Sequence, residues 1–415
     1  MKHVIVGSGV AGVTAAQGIV RADPSAEVHV FGAEPYPYYR RPLLWEFIAG
    51  QLEQDALYFR ASDWYAGRGI NLRTGVQVAV LTSSDHCLTL VDGETVLYER
   101  LLLATGARPF IPPCEGTDKE GVFTLRTLDD ALAIKAYMQK VSTAVVIGGG
   151  LLGLETARAL QTAGLDVTVV EFFPYLLPRQ LDAEGAQVLQ SLLEAQGLHV
   201  LCESATEAVL GDKRADYIRL KDKRVVNAGL VLFSTGIRSE VTLAQAAGLE
   251  VNHGIVVDEQ LRVRRADGRP ISDIFAVGDA AEFEGRVYGI IPPAIEQARV
   301  AAANMVAPGS ATYTGTLPST TLKVAGAELT SLGECLVEAD SEHAEDEYTQ
   351  LRHVDLLAGY YSKLVLHEGH IVGAILLNDK ERVRPVAQLI KQGVDVSAYA
   401  NRLLDDDFDL KSLLL

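Results

Sequence analysis

A glycine-rich loop occurs twice in this chain, each time closing an apolar strand and opening a helix. The first copy reads Val4-Ile5-Val6-Gly7-Ser8-Gly9-Val10-Ala11-Gly12, and the acid Glu34 follows the next strand, Val28 to Phe31. The second reads Val145-Val146-Ile147-Gly148-Gly149-Gly150-Leu151-Leu152-Gly153, followed by the strand Val167 to Val170 and then Glu171. In each, the first glycine permits a tight turn, the second lets backbone approach a pyrophosphate, and the third lets helix and strand pack closely. The helix N-terminus then offers amide N–H groups and its positive dipole end to the phosphates. An acid about 20 residues on accepts hydrogen bonds from a ribose diol. Two complete units with their acids imply two dinucleotides. A nicotinamide gives up two electrons as hydride and a flavin accepts them, so FAD with NAD(P)H is the economical pair.

The chain has 415 residues, more than one core accommodates, so two or three domains are expected. Its 48% hydrophobic and 22% charged content is that of an ordinary globular protein. No apolar run reaches the roughly 18 residues of a membrane span, and the first strand starts at once without room for a signal peptide. A cytoplasmic protein is therefore expected. The formal net charge of −17 argues against broad nucleic-acid binding, because phosphates would be repelled.

The expected fold class is α/β, with two Rossmann-like dinucleotide-binding domains and a C-terminal α+β domain. The first domain takes residues 1–110, with a strand expected at Val76 to Leu81 and an apolar run from Leu101 that ends in Ala104-Thr105-Gly106. The second takes 111–236 and ends, after the strand Leu230 to Phe233, in Ser234-Thr235-Gly236. That repeat points to duplication, one domain inserted in its relative. Residues 237–314 return to the first domain through Ile274-Phe275-Ala276-Val277-Gly278-Asp279. From 315 to 415 the pattern changes: Leu364–Leu366 and Ile371–Leu377 flank the polar turn His367-Glu368-Gly369-His370, which reads as a hairpin. A helix is expected over Val383 to Ile390, then an acidic tail around Asp405-Asp406-Asp407. Between Pro35 and Pro42 the prolines exclude regular helix or central strand.

In this order the motifs resemble the pyridine-nucleotide-dependent FAD reductases with two dinucleotide-binding domains. Tyr38-Tyr39-Arg40-Arg41-Pro42-Leu43-Leu44-Trp45-Glu46, Leu176-Leu177-Pro178-Arg179-Gln180-Leu181-Asp182 and Leu322-Lys323-Val324-Ala325-Gly326 are similar to NADH:rubredoxin reductases and to the flavoprotein portion of NADH-dependent nitrite reductases. Ferredoxin reductases of oxygenase systems are similar too, but usually show Ser-Lys where this chain has Trp45-Glu46. Disulfide-reducing relatives carry a redox-active cysteine pair, and peroxide- or oxygen-reducing ones a single cysteine, near the end of the first βαβ region. Here Cys87, Cys114, Cys202 and Cys335 leave residues 1 to 86 without one, so thiol chemistry at a flavin is not expected, and spacing without CxxC argues against a metal site.

The resemblance implies FAD on Gly7, Gly9, Gly12 and Glu34, with Val78 near adenine and Arg41 and Pro42 along the pyrophosphate and flavin edge. Thr105, Gly106 and Arg108 would close the crevice, and Asp279 would hold the ribityl chain. The helix opened by Pro292-Pro293 and carrying Glu296 would stabilise negative charge on reduced flavin. NAD would lie on Gly148, Gly150, Gly153, Glu171 and Gly236, with Glu155 beside the nicotinamide. Because Glu171 would repel a 2′-phosphate, NADH is the expected coenzyme. Lys323 is expected near the flavin, offsetting Glu46, Glu155 and Glu296. A metal role for His367 and His370 is not expected.

These residues suit an NADH oxidoreductase in which hydride passes from nicotinamide to flavin and electrons leave singly to a small redox protein, such as rubredoxin or a nitrite-reductase-type partner. Two other readings stay open: an NADH oxidase or diaphorase with a small-molecule acceptor, and a flavoprotein acting as a binding or regulatory module. Neither nucleic acid nor membrane is an expected partner; an oligomer is possible.

Overall fold

A computed structural model describes residues 1–324, 326–337 and 348–414. Ala325, within the Leu322–Gly326 motif, lies outside the described residues. The chain forms two compact units, one of residues 1–47, 52–109 and 237–316, the other of 48–51, 110–236 and 317–415.

In the first unit the strands Pro270–Ala276, Arg100–Leu103, Lys2–Val6, Glu27–Gly32 and Ile70–Thr74 lie side by side and parallel. Leu101, Leu102, Leu103, Val4, Ile5 and Ile274 are fully buried, as expected for strands covered on both faces. The helices Val10–Ala22 and Ile291–Val306 pack through small side chains. Their approach is so close that a Cβ on Gly18 would come within 2.8 Å of the Ala302 methyl. A three-stranded antiparallel meander, Val78–Thr82, Cys87–Leu90 and Thr95–Leu97, packs on this core. Its first strand starts at Val78 rather than Val76, because the Gly75 and Val76 amides donate to the carbonyls of Glu34 and Gly32.

His3, on the first strand, is wholly buried, and neither ring nitrogen has a hydrogen-bond partner among the described residues. Burial, with the Arg100 charge nearby, lowers its pKa from 6.5 to about 4. The unfolded chain therefore binds this proton near pH 6.5 and the folded one only near pH 4. Stability should fall as pH drops between those values, by about 3 kcal/mol, and level off below. His3→Leu should flatten that part of a stability–pH curve; an unchanged slope would show that the acid sensitivity lies elsewhere.

The second unit repeats the plan. The strands His199–Leu201, Asp166–Val170, Thr143–Ile147, Leu230–Phe233 and Val122–Thr124 form a parallel sheet. A second antiparallel meander follows it, Thr206–Leu210, Tyr217–Leu220 and Val225–Asn227. The same sheet-plus-meander order in both units is what a duplication leaves. The C-terminal part is a five-stranded antiparallel sheet with the helix Lys380–Gln392 packed on it. Its hairpin joins Tyr360–His367 to His370–Leu377 through Glu368 and Gly369, both at positive φ (47° and 79°), the two-residue turn that matches strand twist. The acidic stretch is not a free tail: Arg402 pairs with Asp405 and Asp407, and Arg382 reaches Asp406.

One buried cluster joins the C-terminal sheet to the helix Ala183–Ala195. Asp182 caps that helix by accepting from the Gly185 amide at 3.0 Å. The Tyr361 hydroxyl donates to the same carboxylate at 2.7 Å, and the Lys363 ammonium lies 3.0 Å away. Lys363 is 2% exposed, so Asp182 takes the place of water as its partner.

The passages between the segments are themselves symmetric. Ala107–Pro109 pairs antiparallel with Ile237–Ser239. The Thr105 hydroxyl donates to the Glu240 carbonyl at 2.6 Å, and the Thr235 hydroxyl to the Phe110 carbonyl at 2.5 Å. The Glu240 amide bonds Gly106, and the Phe110 amide bonds Gly236. The repeated Thr-Gly is thus the fastening of a two-stranded ribbon.

Candidate functional site

Both glycine loops have one geometry. Gly7 and Gly148 have φ of +114° and +113°, and their amides bond carbonyls at the end of the neighbouring strand, those of Phe31 and Val170, each at 2.8 Å. A Cβ on Gly7 would lie 2.0 Å from the Ala104 carbonyl oxygen, and one on Gly148 2.3 Å from that of Ser234. On Gly12 or Gly153 it would lie 1.9 or 2.0 Å from the Gly7 or Gly148 oxygen. The protein's own packing explains these four. It does not explain Gly9 and Gly150, where a Cβ would meet nothing within 4 Å. Both are helix N-caps without a capping side chain, on helices of 13 and 12 residues. A glycine needed by no neighbour at an uncapped helix start fits a phosphate group held on backbone amides.

In the first cradle Glu34, Arg41 and Asp279 come together. Glu34 accepts from the Arg41 guanidinium and from the Tyr39 hydroxyl, each at 2.5 Å, and Arg41 also donates to Tyr39 at 3.0 Å. Burial lowers the Arg41 pKa, but Tyr39, Glu34 and Asp279 more than offset this, and the net shift is upward. The turn at Gly278-Asp279 is fixed from both sides: the Gln297 side chain accepts from the Gly278 amide at 2.8 Å, and the Ser239 hydroxyl donates to the Asp279 carbonyl at 2.7 Å. Ser239 stands in no motif, and the motif that contains Tyr39 gives it no role; only the folded register brings Tyr39, Ser239 and Gln297 here. Val78 adjoins the Gly75–Val76 turn that bonds Gly32 and Glu34. Pro42 is exposed in the turn Arg41–Leu43. Thr105 spends its hydroxyl on Glu240, and Arg108 is 68% exposed with Nε 4.0 Å from Glu240. Glu296 is exposed and accepts the Thr316 hydroxyl at 2.5 Å.

In the second cradle the Glu171 carboxylate accepts from the Gly149 amide at 2.5 Å and the Phe173 amide at 2.8 Å, and Glu171 is only 5% exposed. Glu155 is half-buried on the helix Leu151–Thr162. Gly236 stands in the ribbon, at φ +102°. Lys323, on the strand Ser319–Val324, is 69% exposed and pairs with Glu328 at 3.3 Å, a carboxylate shared with Lys380.

All four cysteines are free thiols. Burial pushes Cys202 and Cys335 up to about 11 and raises Cys114. Replacing all four by Ala or Ser is expected to leave flavin reduction by NADH near the wild-type rate, with about 1–3 kcal/mol lost at buried Cys335. Loss of reduction in a folded, FAD-loaded variant would relocate the chemistry to a thiol. Among the described residues no group of three or more His, Cys, Asp or Glu could hold a metal, and no helix is long and apolar enough to cross a membrane.

Residues 1–304 match the family model of pyridine nucleotide-disulphide oxidoreductases, and 318–394 that of the rubredoxin NAD+ reductase C-terminal domain. The nitrite reductase [NAD(P)H] of Bacillus subtilis is 37% identical over 95% of this chain and 48% of its own length. The rubredoxin-NAD(+) reductase of Pseudomonas putida is 29% identical over 91% of this chain and all of its own. Among solved structures, the covalent putidaredoxin reductase–putidaredoxin complex superimposes with a TM-score of 0.87 at 26% identity, over 99% of this chain and 97% of that one. The chain spans about half the length of the nitrite- and nitrate-reductase relatives it matches. The first of these matches takes in both glycine loops and well over half of the chain, so the chain belongs to the pyridine nucleotide-disulphide oxidoreductase family.

Proposed function

We propose that the chain passes electrons from NADH through FAD to a small redox protein of the rubredoxin kind or to a nitrite-reductase-type centre. The observation that carries this is the pair of cradles whose middle glycines, Gly9 and Gly150, face open space, in a chain that ends in a rubredoxin-reductase-type domain. When bound, FAD accepts hydride from NADH and releases electrons singly. The chain's own residues bind and orient. Gly7, Gly9 and Gly12 hold one pyrophosphate, Gly148, Gly150 and Gly153 the other, and Arg41 adds a fixed positive charge to the first. Asp279 anchors the sugar chain of the flavin. The helix Ile291–Val306 directs the positive end of its dipole where reduced flavin gathers negative charge. Glu155 orients the nicotinamide, and the site is cytoplasmic.

Anaerobic stopped-flow mixing tests this: NADH should bleach the flavin, and a rubredoxin or a nitrite-reductase-type partner protein should restore its colour faster than oxygen or quinones do. Fast recovery with oxygen alone would favour an NADH oxidase, and no bleaching would sink the enzyme reading.

Lys323 carries a separate expectation. If its ammonium offsets Glu46, Glu155 and Glu296 near the flavin, Lys323→Met should lower the two-electron potential and slow reduction while leaving FAD content intact. An unchanged potential would leave Lys323 as the exposed partner of Glu328.

A further inference from the structure

The two cradles superpose on their hydrogen bonds, and the superposition separates their acids. Gly7 bonds the Phe31 carbonyl and Gly148 bonds that of Val170, so Phe31 and Val170 are equivalent. Counting on from there, Glu171 matches Gly32, and Phe173 matches Glu34. The acids that the sequence reads as counterparts stand two residues apart in the fold.

A second exchange accompanies the first. Within the loop, Ser8 matches Gly149. A Cβ on Gly32 would lie 2.3 Å from the Ser8 hydroxyl oxygen, so the serine fills the space that a side chain at 32 would take. In the other cradle a Cβ on Gly149 would come within 3.1 Å of a Glu171 carboxylate oxygen and 3.3 Å of its Cβ, so there the glutamate fills the shared space. One cradle carries Ser and Gly, the other Gly and Glu, in the same two places.

We propose that Glu171 is the internal latch of the coenzyme loop, forming one reciprocal pair with Gly149, and that discrimination between NADH and NADPH can be rebuilt at residue 173 but not by exchanging residue 171 alone. The carboxylate satisfies two backbone amides in a nearly closed slot, so removing it leaves both without their acceptor. If the same carboxylate also meets the ribose of NADH, a single exchange there damages loop and selectivity together. The side chain of residue 173 is free of the first duty, in which only its backbone amide takes part. Phe173 is 51% exposed and stands where the FAD cradle carries Glu34. This rests on the reading that the second cradle takes NADH.

The test uses the FAD-loaded full chain and two ligands without nicotinamide, ADP-ribose and 2′-phospho-ADP-ribose, with calorimetric titration and thermal unfolding. Gly149→Ser and Glu171→Gly should each lower the melting temperature and weaken ADP-ribose roughly tenfold. In Gly149→Ser the new side chain also presses on a Leu176 methyl at 2.5 Å, the movable end of a flexible side chain. The double variant G149S/E171G should recover most of the lost melting temperature while binding both ligands within about threefold of each other. Adding Phe173→Glu to it should restore a preference of about fivefold or more for ADP-ribose. Additive losses in the double variant would overturn the latch. Restored stability without restored preference would overturn the role of residue 173. If Glu171→Gly alone yields no holoenzyme, the double variant is compared with Gly149→Ser, and a melting temperature no higher than that of Gly149→Ser would overturn the latch. Equal binding of both ligands by the wild type would overturn the NADH reading and the role of 173, while the coupling of 149 with 171 would still decide the latch.

Discussion

Asp182→Ala is expected to destabilise the unit that contains it by about 3–5 kcal/mol, because it strands the buried Lys363 ammonium. About 1 kcal/mol of that is the loss of the cap on the Gly185 amide. The rest comes from an ammonium 2% exposed with its carboxylate gone and a Tyr361 hydroxyl with no acceptor. Asp182→Ala combined with Lys363→Met should therefore be more stable than Asp182→Ala alone, since methionine fills the volume without charge. Denaturant unfolding of the wild type and the two variants decides it; equal losses in single and double variants would mean that the ammonium escapes to water. The pH window differs from that of His3. Burial raises the Asp182 pKa, but Tyr361, Gly185 and Lys363 more than offset it, so its folded value lies below the ordinary carboxylate range. Its contribution is present above the unfolded pKa of about 4 and is lost as pH falls through the lower folded value.

NADH should be preferred to NADPH by roughly 30- to 1,000-fold in kcat/KM, or about 2–4 kcal/mol. A 2′-phosphate would forfeit the diol contact and meet a carboxylate that cannot turn away, because two amides hold it. The exposed neighbours Phe172 and Phe173 supply no cation. Equal kcat/KM for the two coenzymes in the wild type would defeat the argument. Glu171→Arg, the direct exchange for narrowing the gap, meets an obstacle in the fold: a guanidinium would replace the acceptor of the Gly149 and Phe173 amides.

The glycine loops, their strands and the Thr-Gly repeats were legible because each depends on local spacing that a sequence preserves. The hairpin at Glu368-Gly369 was legible for the same reason. The mismatch of Glu34 with Glu171 was not, since both follow a strand at plausible spacing and only the carbonyls of Phe31 and Val170 fix the count. Lys363 was hidden differently. A lysine before Leu364-Val365-Leu366 reads as an outward position, and its partner lies 181 residues away in sequence. The clasp of Tyr39 and Arg41 on Glu34 lies in a proline-rich stretch where periodicity says nothing.

The ribbon of Ala107–Pro109 and Ile237–Ser239 bears on how such a chain could be cut and rejoined. Pro109 is the register partner of Ile237, so the stretch from 110 to 236 leaves and returns at facing positions of one hairpin. Facing residues of an antiparallel pair lie roughly 5 Å apart, a gap that a two-residue turn closes. The host therefore keeps its strand pairing whatever is carried beyond Pro109. A gene encoding it could receive a nucleotide-binding module at that point, or exchange it for another, without disturbing the register of a single strand in the parallel sheet.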